Sequence, residues 1–126
     1  MEFEALTQEV IGLAIKVQKV LGPGLLESAY RACMAYELRK AGHLVDEERP
    51  LELRYEELTI SNAYRLDIVV DDLLILELKT VEKLAPTHEA QLATYLRMAG
   101  KRVGLIFNFW AWPLKDGGIK RVVHTP

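Results

Sequence analysis

Tyr64-Arg65-Leu66-Asp67-Ile68-Val69-Val70-Asp71-Asp72-Leu73-Leu74-Ile75-Leu76-Glu77-Leu78-Lys79 is two apolar runs joined by an acidic turn. The runs read as strands from about Tyr64 to Val70 and from about Leu74 to Lys79, and Asp71-Asp72 between them makes an antiparallel hairpin. Into these strands the sequence sets Asp67, Glu77 and Lys79, and charged groups seldom occupy core strands without a partner or a task. Side chains alternate along a strand, so Glu77 and Lys79 project from one face and Leu78 from the other. Register decides where Asp67 goes. A three-residue connection over Asp71 to Leu73 sets Asp67 opposite Glu77, roughly 5 Å away between Cβ atoms. A two-residue turn pairs Asp67 with Leu76 and sends Glu77 to the opposite face. A shared site requires the first register, with room for a bulge.

Outward from the hairpin the chain supplies a scaffold. Leu6, Val10, Leu13, Ala14, Val17, Val20 and Leu21 recur at helical spacing between Glu4 and Leu21, and Gly22-Pro23-Gly24 ends that helix. A second helix spans about Leu25 to Lys40, with Leu26, Ala29, Tyr30, Cys33 and Tyr36 for its inner face. The short connection predicts an antiparallel helical pair. From Leu44 to about Ile60, Leu51, Leu53 and Tyr55 alternate with Glu52 and Arg54 as in a strand with one wet face, Pro50 indicating an edge or bulge and Glu56-Glu57 a turn or strand end. After the hairpin, Pro86-Thr87 opens a third helix with Thr87 as its N-cap, and Gly100 stops it. Val103 to Phe109 is nearly all apolar, as in a strand covered on both faces, and Ile119 to Val123 is a short final strand after Gly117-Gly118. The order predicts an α/β (α+β) sandwich, helices covering a mixed sheet, as one domain over residues 1–126.

Composition narrows the function classes. The chain is half hydrophobic with a net charge of -2, which argues against a disordered tail and against a strongly cationic, non-specific nucleic-acid binder. The charge is uneven, however: residues 1–78 hold 8 Lys/Arg and 15 Asp/Glu, a balance of -7, while residues 79–126 hold 8 and 3, a balance of +5. The single Cys33 excludes an internal disulfide, fits a reducing compartment and reads as a buried small hydrophobe. Met1-Glu2-Phe3-Glu4 lacks the basic start of a signal peptide and no apolar run reaches membrane-spanning length, so the expectation is a cytoplasmic protein without a membrane partner.

Two carboxylates that face each other repel unless a cation sits between them, and Mg²⁺ (or Mn²⁺) suits one or two carboxylates plus waters and phosphate oxygens. Asp67 and Glu77 are therefore candidate metal ligands, the Leu78 backbone carbonyl could complete the shell, and Lys79 could hold an attacking water or stabilise charge on a phosphorus centre.

Asp67 followed after nine residues by Glu77-Leu78-Lys79 resembles the D…(D/E)-x-K signature of the PD-(D/E)XK nuclease superfamily. Gly24-Leu25-Leu26-Glu27-Ser28-Ala29-Tyr30 matches the motif of the bacterial and archaeal GxxExxY family, usually grouped there. His88-Glu89-Ala90-Gln91-Leu92 with Tyr95-Leu96, and Val103 to Phe109, look like that family's later blocks. The resemblance implies a restriction-endonuclease-like αβββαβ core with an extra N-terminal helix and a short C-terminal strand. It implies hydrolysis of DNA or RNA phosphodiester bonds at Asp67, Glu77 and Lys79, with Glu27 an added acid and further metal candidate, and Gln91 beside them. Nucleic acid is the implied partner, and a homodimer or complex subunit fits so small a chain. The family pattern also leads one to expect a glycine near the turn before Asp67, where this chain has Glu56-Glu57.

Each residue has a plainer reading. Glu27 could serve the helix dipole. Asp67 and Lys79 could pair across strands with Glu77 solvated. Gln91 could be a buried amide, and His88 a water-facing residue at a helix start. Tyr30 and Tyr95 are more often core aromatics with a bonded tip, and enter only as supports of the site. Trp110 and Trp112 suit loop packing, and Lys101-Arg102 and Lys120-Arg121 suit a solvated surface. The alternative to an enzyme is a nuclease-fold module that binds nucleic acid or protein.

Overall fold

The computed structural model describes residues 3–125. The acidic start read at Met1 and Glu2 lies outside those residues. The elements are α1 (Phe3–Leu21), α2 (Glu27–Lys40), β1 (Val45–Tyr55), β2 (Leu58–Val70), β3 (Leu74–Lys79), α3 (Pro86–Ala99), β4 (Val103–Asn108) and β5 (Ile119–Val123). The strands form one mixed sheet in the order β1-β2-β3-β4-β5. Only β3 and β4 are parallel, because α3 carries the chain back between them. The class is α+β, as the pattern of elements predicts.

The sheet is covered on both faces. Leu6, Val10, Ala14 and Val17 of α1 and Tyr30, Met34 and Leu38 of α2 pack on one face, against Ile68, Val70, Leu74, Leu76, Leu78, Leu105 and Phe107. Leu92, Tyr95 and Leu96 of α3 pack on the other, against Leu51, Leu66, Val69, Ile75 and Ile106. Even and odd positions of β3 thus serve opposite layers, which is why its whole run reads as apolar. Gly104 lets α3 lie close, since a Cβ there would stand 2.9 Å from Leu92 Cδ1.

Several sequence expectations change. Glu56 and Glu57 do form a tight turn, but β1 stops before them at Tyr55 and β2 begins at Leu58, earlier than Tyr64. Glu56 takes φ 53, the left-handed conformation for which a glycine would be natural. The N-cap of α3 is Ala85, not Thr87. His88 does the capping instead: its Nδ1 accepts the Ala85 N–H at 2.9 Å, so it is tied to the helix start and not merely turned to water. Tyr36 and Val20, assigned to inner faces, are 63% and 74% exposed, and Cys33 is only partly buried. Helical spacing reports an apolar stripe but not which part of it finds a partner.

Candidate functional site

The β2–β3 connection has three residues, Asp71, Asp72 and Leu73, and the ladder runs Val70↔Leu74, Val69↔Ile75, Ile68↔Leu76. That is the register that brings Asp67 opposite Glu77. Backbone pairing ends there. Beyond Ile68↔Leu76 the strands are braced by side chains: the Leu78 N–H donates to Asp67 Oδ2 at 2.8 Å, and the Asp67 N–H points to Glu77 Oε1 at 3.4 Å. Meanwhile β3 keeps its pairing with β4 as far as Lys79↔Asn108.

The opening has a cause in β2. Ile68 and Val70 join the α1/α2 layer and Val69 the α3 layer, yet Leu66 also belongs to the α3 layer, so the alternation changes phase around Asp67. Glu48, on the neighbouring stretch of β1 between the paired Glu47↔Ile68 and Arg49↔Leu66, takes φ 51. The β1–β2 register is the same on either side of this point, its shift lying between Leu51 and Leu53, so Glu48 and Asp67 break the pleat together without an inserted residue. Here the carboxylate of Asp67 is turned towards β3.

Glu77 is 5% exposed, which overturns the reading of a solvated Glu77. Burial, and then repulsion from Asp67, push its carboxyl up to about 8. Lys79 makes no ion pair among the described residues, so the interstrand Asp67–Lys79 bridge is also set aside. Lys79 is held in place by its backbone, whose carbonyl accepts the Phe109 N–H at 2.9 Å.

Glu27 opens α2 and reaches the same end of β3. Though its side chain is largely open to solvent, desolvation by the surrounding protein raises its pKa, against the lowering effect of Lys79; Asp67 raises it further and the Thr80 N–H lowers it. Glu27 thus feels the same two charges, Lys79 and Asp67, that act on Glu77. The motif that carries Glu27 has a mechanical explanation. Gly24 takes φ 95. Tyr30, fully buried, stacks on Phe109 at 4.4 Å between ring centroids, donates to the Gly22 carbonyl at 2.6 Å and accepts the Leu25 N–H at 3.2 Å. The tyrosine clamps the loop that delivers Glu27. Tyr30→Phe removes both bonds and should cost about 1–3 kcal/mol of stability, read as a lower denaturant midpoint.

Gln91 is exposed, not a buried amide, and lies one turn before Tyr95 on α3; Tyr95 itself is 6% exposed. Burial first, then the charge of Glu77, raise the Tyr95 pKa. Residue reasoning missed two contributors. Asn108 accepts the Val81 N–H at 3.0 Å and donates to the Val81 carbonyl at 2.8 Å, pinning the segment after Lys79. Its only signal was a lone amide closing an apolar run. Tyr64, whose ring lies 5.6 Å from that of Tyr95, walls an open groove of about 370 Å³ between the β1–β2 hairpin and α3.

No group of three or more His, Cys, Asp or Glu side chains converges to hold a metal ion among the described residues. The close set is a pair, Asp67 and Glu77. Its chemistry fits Mg²⁺, which takes one or two carboxylates and keeps much of its water. Two carboxyl groups, one of them buried and resisting ionisation, form an electrostatic arrangement that a cation would relieve.

A mixed sheet with α2-β1-β2-β3-α3-β4 as its central order, and acids and a lysine where β2 parts from β3, defines a restriction-endonuclease-like fold. The chain belongs to the PD-(D/E)XK nuclease superfamily, which it matches over residues 4–122. No curated protein and no solved structure matches it. No helix of the described residues is long and apolar enough to cross a membrane.

Proposed function

We propose that residues 1–126 act as one unit, a divalent-metal-dependent nuclease of the GxxExxY branch of this superfamily, which hydrolyses DNA or RNA phosphodiester bonds. The observation that carries the reading is the buried carboxyl of Glu77 facing Asp67 where the β2–β3 ladder ends, with Lys79 on the same face of β3. Asp67 and Glu77 would hold Mg²⁺ or Mn²⁺, with the Leu78 carbonyl as a further oxygen donor and Glu27 reaching the ion through one of its waters. The ion, when bound, supplies positive charge against the phosphate and makes water a better nucleophile.

The chain's own groups do the rest. The Lys79 ammonium donates to the attacking water or to a non-bridging phosphate oxygen, where negative charge grows as the new P–O bond forms. The bond to the departing sugar oxygen breaks, the attacking water gives its proton to solvent, and the sugar oxygen gains one from solvent. Gln91 and Tyr95 are positioning residues, one turn apart on α3 and both lining the groove. Tyr30 and Asn108 hold the two loops that carry Glu27 and follow Lys79. The reciprocal bracing of Asp67 and Glu77 is what favours the second reading, a module in which the acids only tie strands together.

Cation binding separates the two. An ion that prefers the native state stabilises it by about 2.7 kcal/mol at 100 times its dissociation constant. Millimolar Mg²⁺ or Mn²⁺ should raise the melting temperature of the wild type and leave Glu77→Ala unmoved, and labelled oligonucleotides should be cut only with the ion present. No shift and no cutting would leave the module reading in its place.

A further inference from the structure

We infer that the substrate is a single strand, with one unpaired base seated on the Tyr64 ring in the groove between the hairpin and α3, and the next phosphate at Arg97. This rests on the reading of Asp67, Glu77 and Lys79 as the cleavage centre.

The groove is walled by Leu53 and Tyr64 from the hairpin and by Gln91, Thr94, Tyr95 and Met98 from α3, and no Asp, Glu, Lys, Arg or His lines it. It is a place for a neutral planar group, not for a phosphate. Tyr64 is 46% exposed, so ring surface is open for stacking, and the amide and hydroxyl groups beside it can meet the edge of a base. A second hollow of about 300 Å³ shares Leu53, Thr94 and Met98 with the first and extends it to Glu52, Arg54 and Arg97. Arg54 is paired with Glu52 at 3.3 Å, whereas Arg97 has no ion pair among the described residues. A neutral aromatic compartment followed by a cation repeats the order of base and phosphate along one strand.

Charge argues in the same direction. Duplex binding is driven by many phosphate contacts. Here Lys101 is engaged by Asp72 at 3.0 Å, Lys120 by Glu89 at 3.3 Å and Arg121 by Glu4 at 2.9 Å, in a chain of net charge -2. Three of the eight basic residues of the C-terminal part are thus engaged by acids of other elements, which thins the cationic surface and leaves stacking to supply much of the affinity. A paired base presents only its edges and cannot enter the groove.

The test is binding of labelled oligothymidylate, oligouridylate and the oligothymidylate duplex with its complement, measured with EDTA so that nothing is cut. Single strands should bind about tenfold or more tightly than the duplex, and Tyr64→Ala should weaken them roughly 5- to 150-fold, the worth of one stacked base. Tyr64→Phe should keep the affinity. Tyr64→Leu, which retains apolar bulk without a ring, should lose it, and serves if the alanine variant does not fold. Arg97→Ala should reduce the salt slope by about 0.7. Equal affinity for the duplex, or full binding by both Tyr64→Ala and Tyr64→Leu, overturns the inference. The two oligonucleotides tell DNA from RNA. Ion-dependent cutting of the duplex alone would sink this inference and leave the nuclease reading intact; tight single-strand binding through Tyr64 without any cutting would do the reverse.

Discussion

Asp67→Asn should abolish ion-dependent cutting while the protein stays folded. The substitution keeps a side-chain oxygen able to accept the Leu78 N–H, which Asp67 Oδ2 now takes at 2.8 Å, so the brace between β2 and β3 survives. What is lost is the charge that would hold the cation. Lys79→Ala is the companion experiment. Its ammonium has no carboxylate partner among the described residues, so truncation leaves no orphaned acid behind and should change the melting temperature little. The rate, by contrast, should fall by about 10²–10³-fold, the usual loss when one preorganised donor to developing charge is removed. Activity that survives in both folded variants would remove these residues from the chemistry.

Without added metal, the wild type should lose stability as the pH rises from about 5 to 8, and Glu77→Gln should flatten that loss. The sign follows from linkage. The Glu77 carboxyl titrates near 8 in the folded chain against 4.5 as its ordinary value, so the folded state holds a proton that the unfolded state releases between those limits. The stability this contributes is fully present below the lower value and is gone once pH passes the higher. The effect is of the order of a few kcal/mol, because a tenfold difference in proton affinity between the two states is worth about 1.4 kcal/mol. His43 adds a trend of the same sign. Burial would lower its pKa, but its bonds to Glu9 and Asp71 outweigh burial and raise it, so its contribution is lost as pH climbs from its ordinary 6.5 through the raised value. Glu77→Gln isolates the larger part, and a His43→Asn control removes the smaller. Millimolar Mg²⁺ should reverse the loss, most strongly at the alkaline end where the carboxyl gives up its proton readily. A melting temperature equally pH-dependent in wild type and Glu77→Gln would contradict the buried acid pair.

The hairpin was legible because strand alternation and turn length are local properties. Two runs of apolar residues separated by Asp71-Asp72-Leu73 leave few registers, and the one that joins Asp67 to Glu77 is the one present. The two-sided burial of β4 and the edge position of β1 with Pro50 could be read for the same reason. The change of phase near Asp67 could not, since it depends on how β2 leaves the sheet and on the left-handed Glu48 beside it. Tyr36 and Val20 were misplaced because a helix pattern does not say that no further layer covers that side. Tyr64 and Asn108 were in view as letters, but Tyr64 acts through its contact with α3 and Asn108 through the loop after Lys79. Both contacts join distant parts of the chain, and spacing carries no information about them. Superfamily resemblance is what singles out Glu27 and Gln91 as candidates; the Tyr30 clamp explains why the first is held where it is.

Asp67 and Glu77 are expected to share a divalent cation beside Lys79. Anomalous diffraction from crystals soaked in Mn²⁺ at about pH 8, where the Glu77 carboxyl gives up its proton, tests it most directly. One peak is expected within bonding distance of both carboxylates, absent from Glu77→Gln crystals treated alike. A map with no peak between the two acids, or with the same peak in the variant, would contradict it.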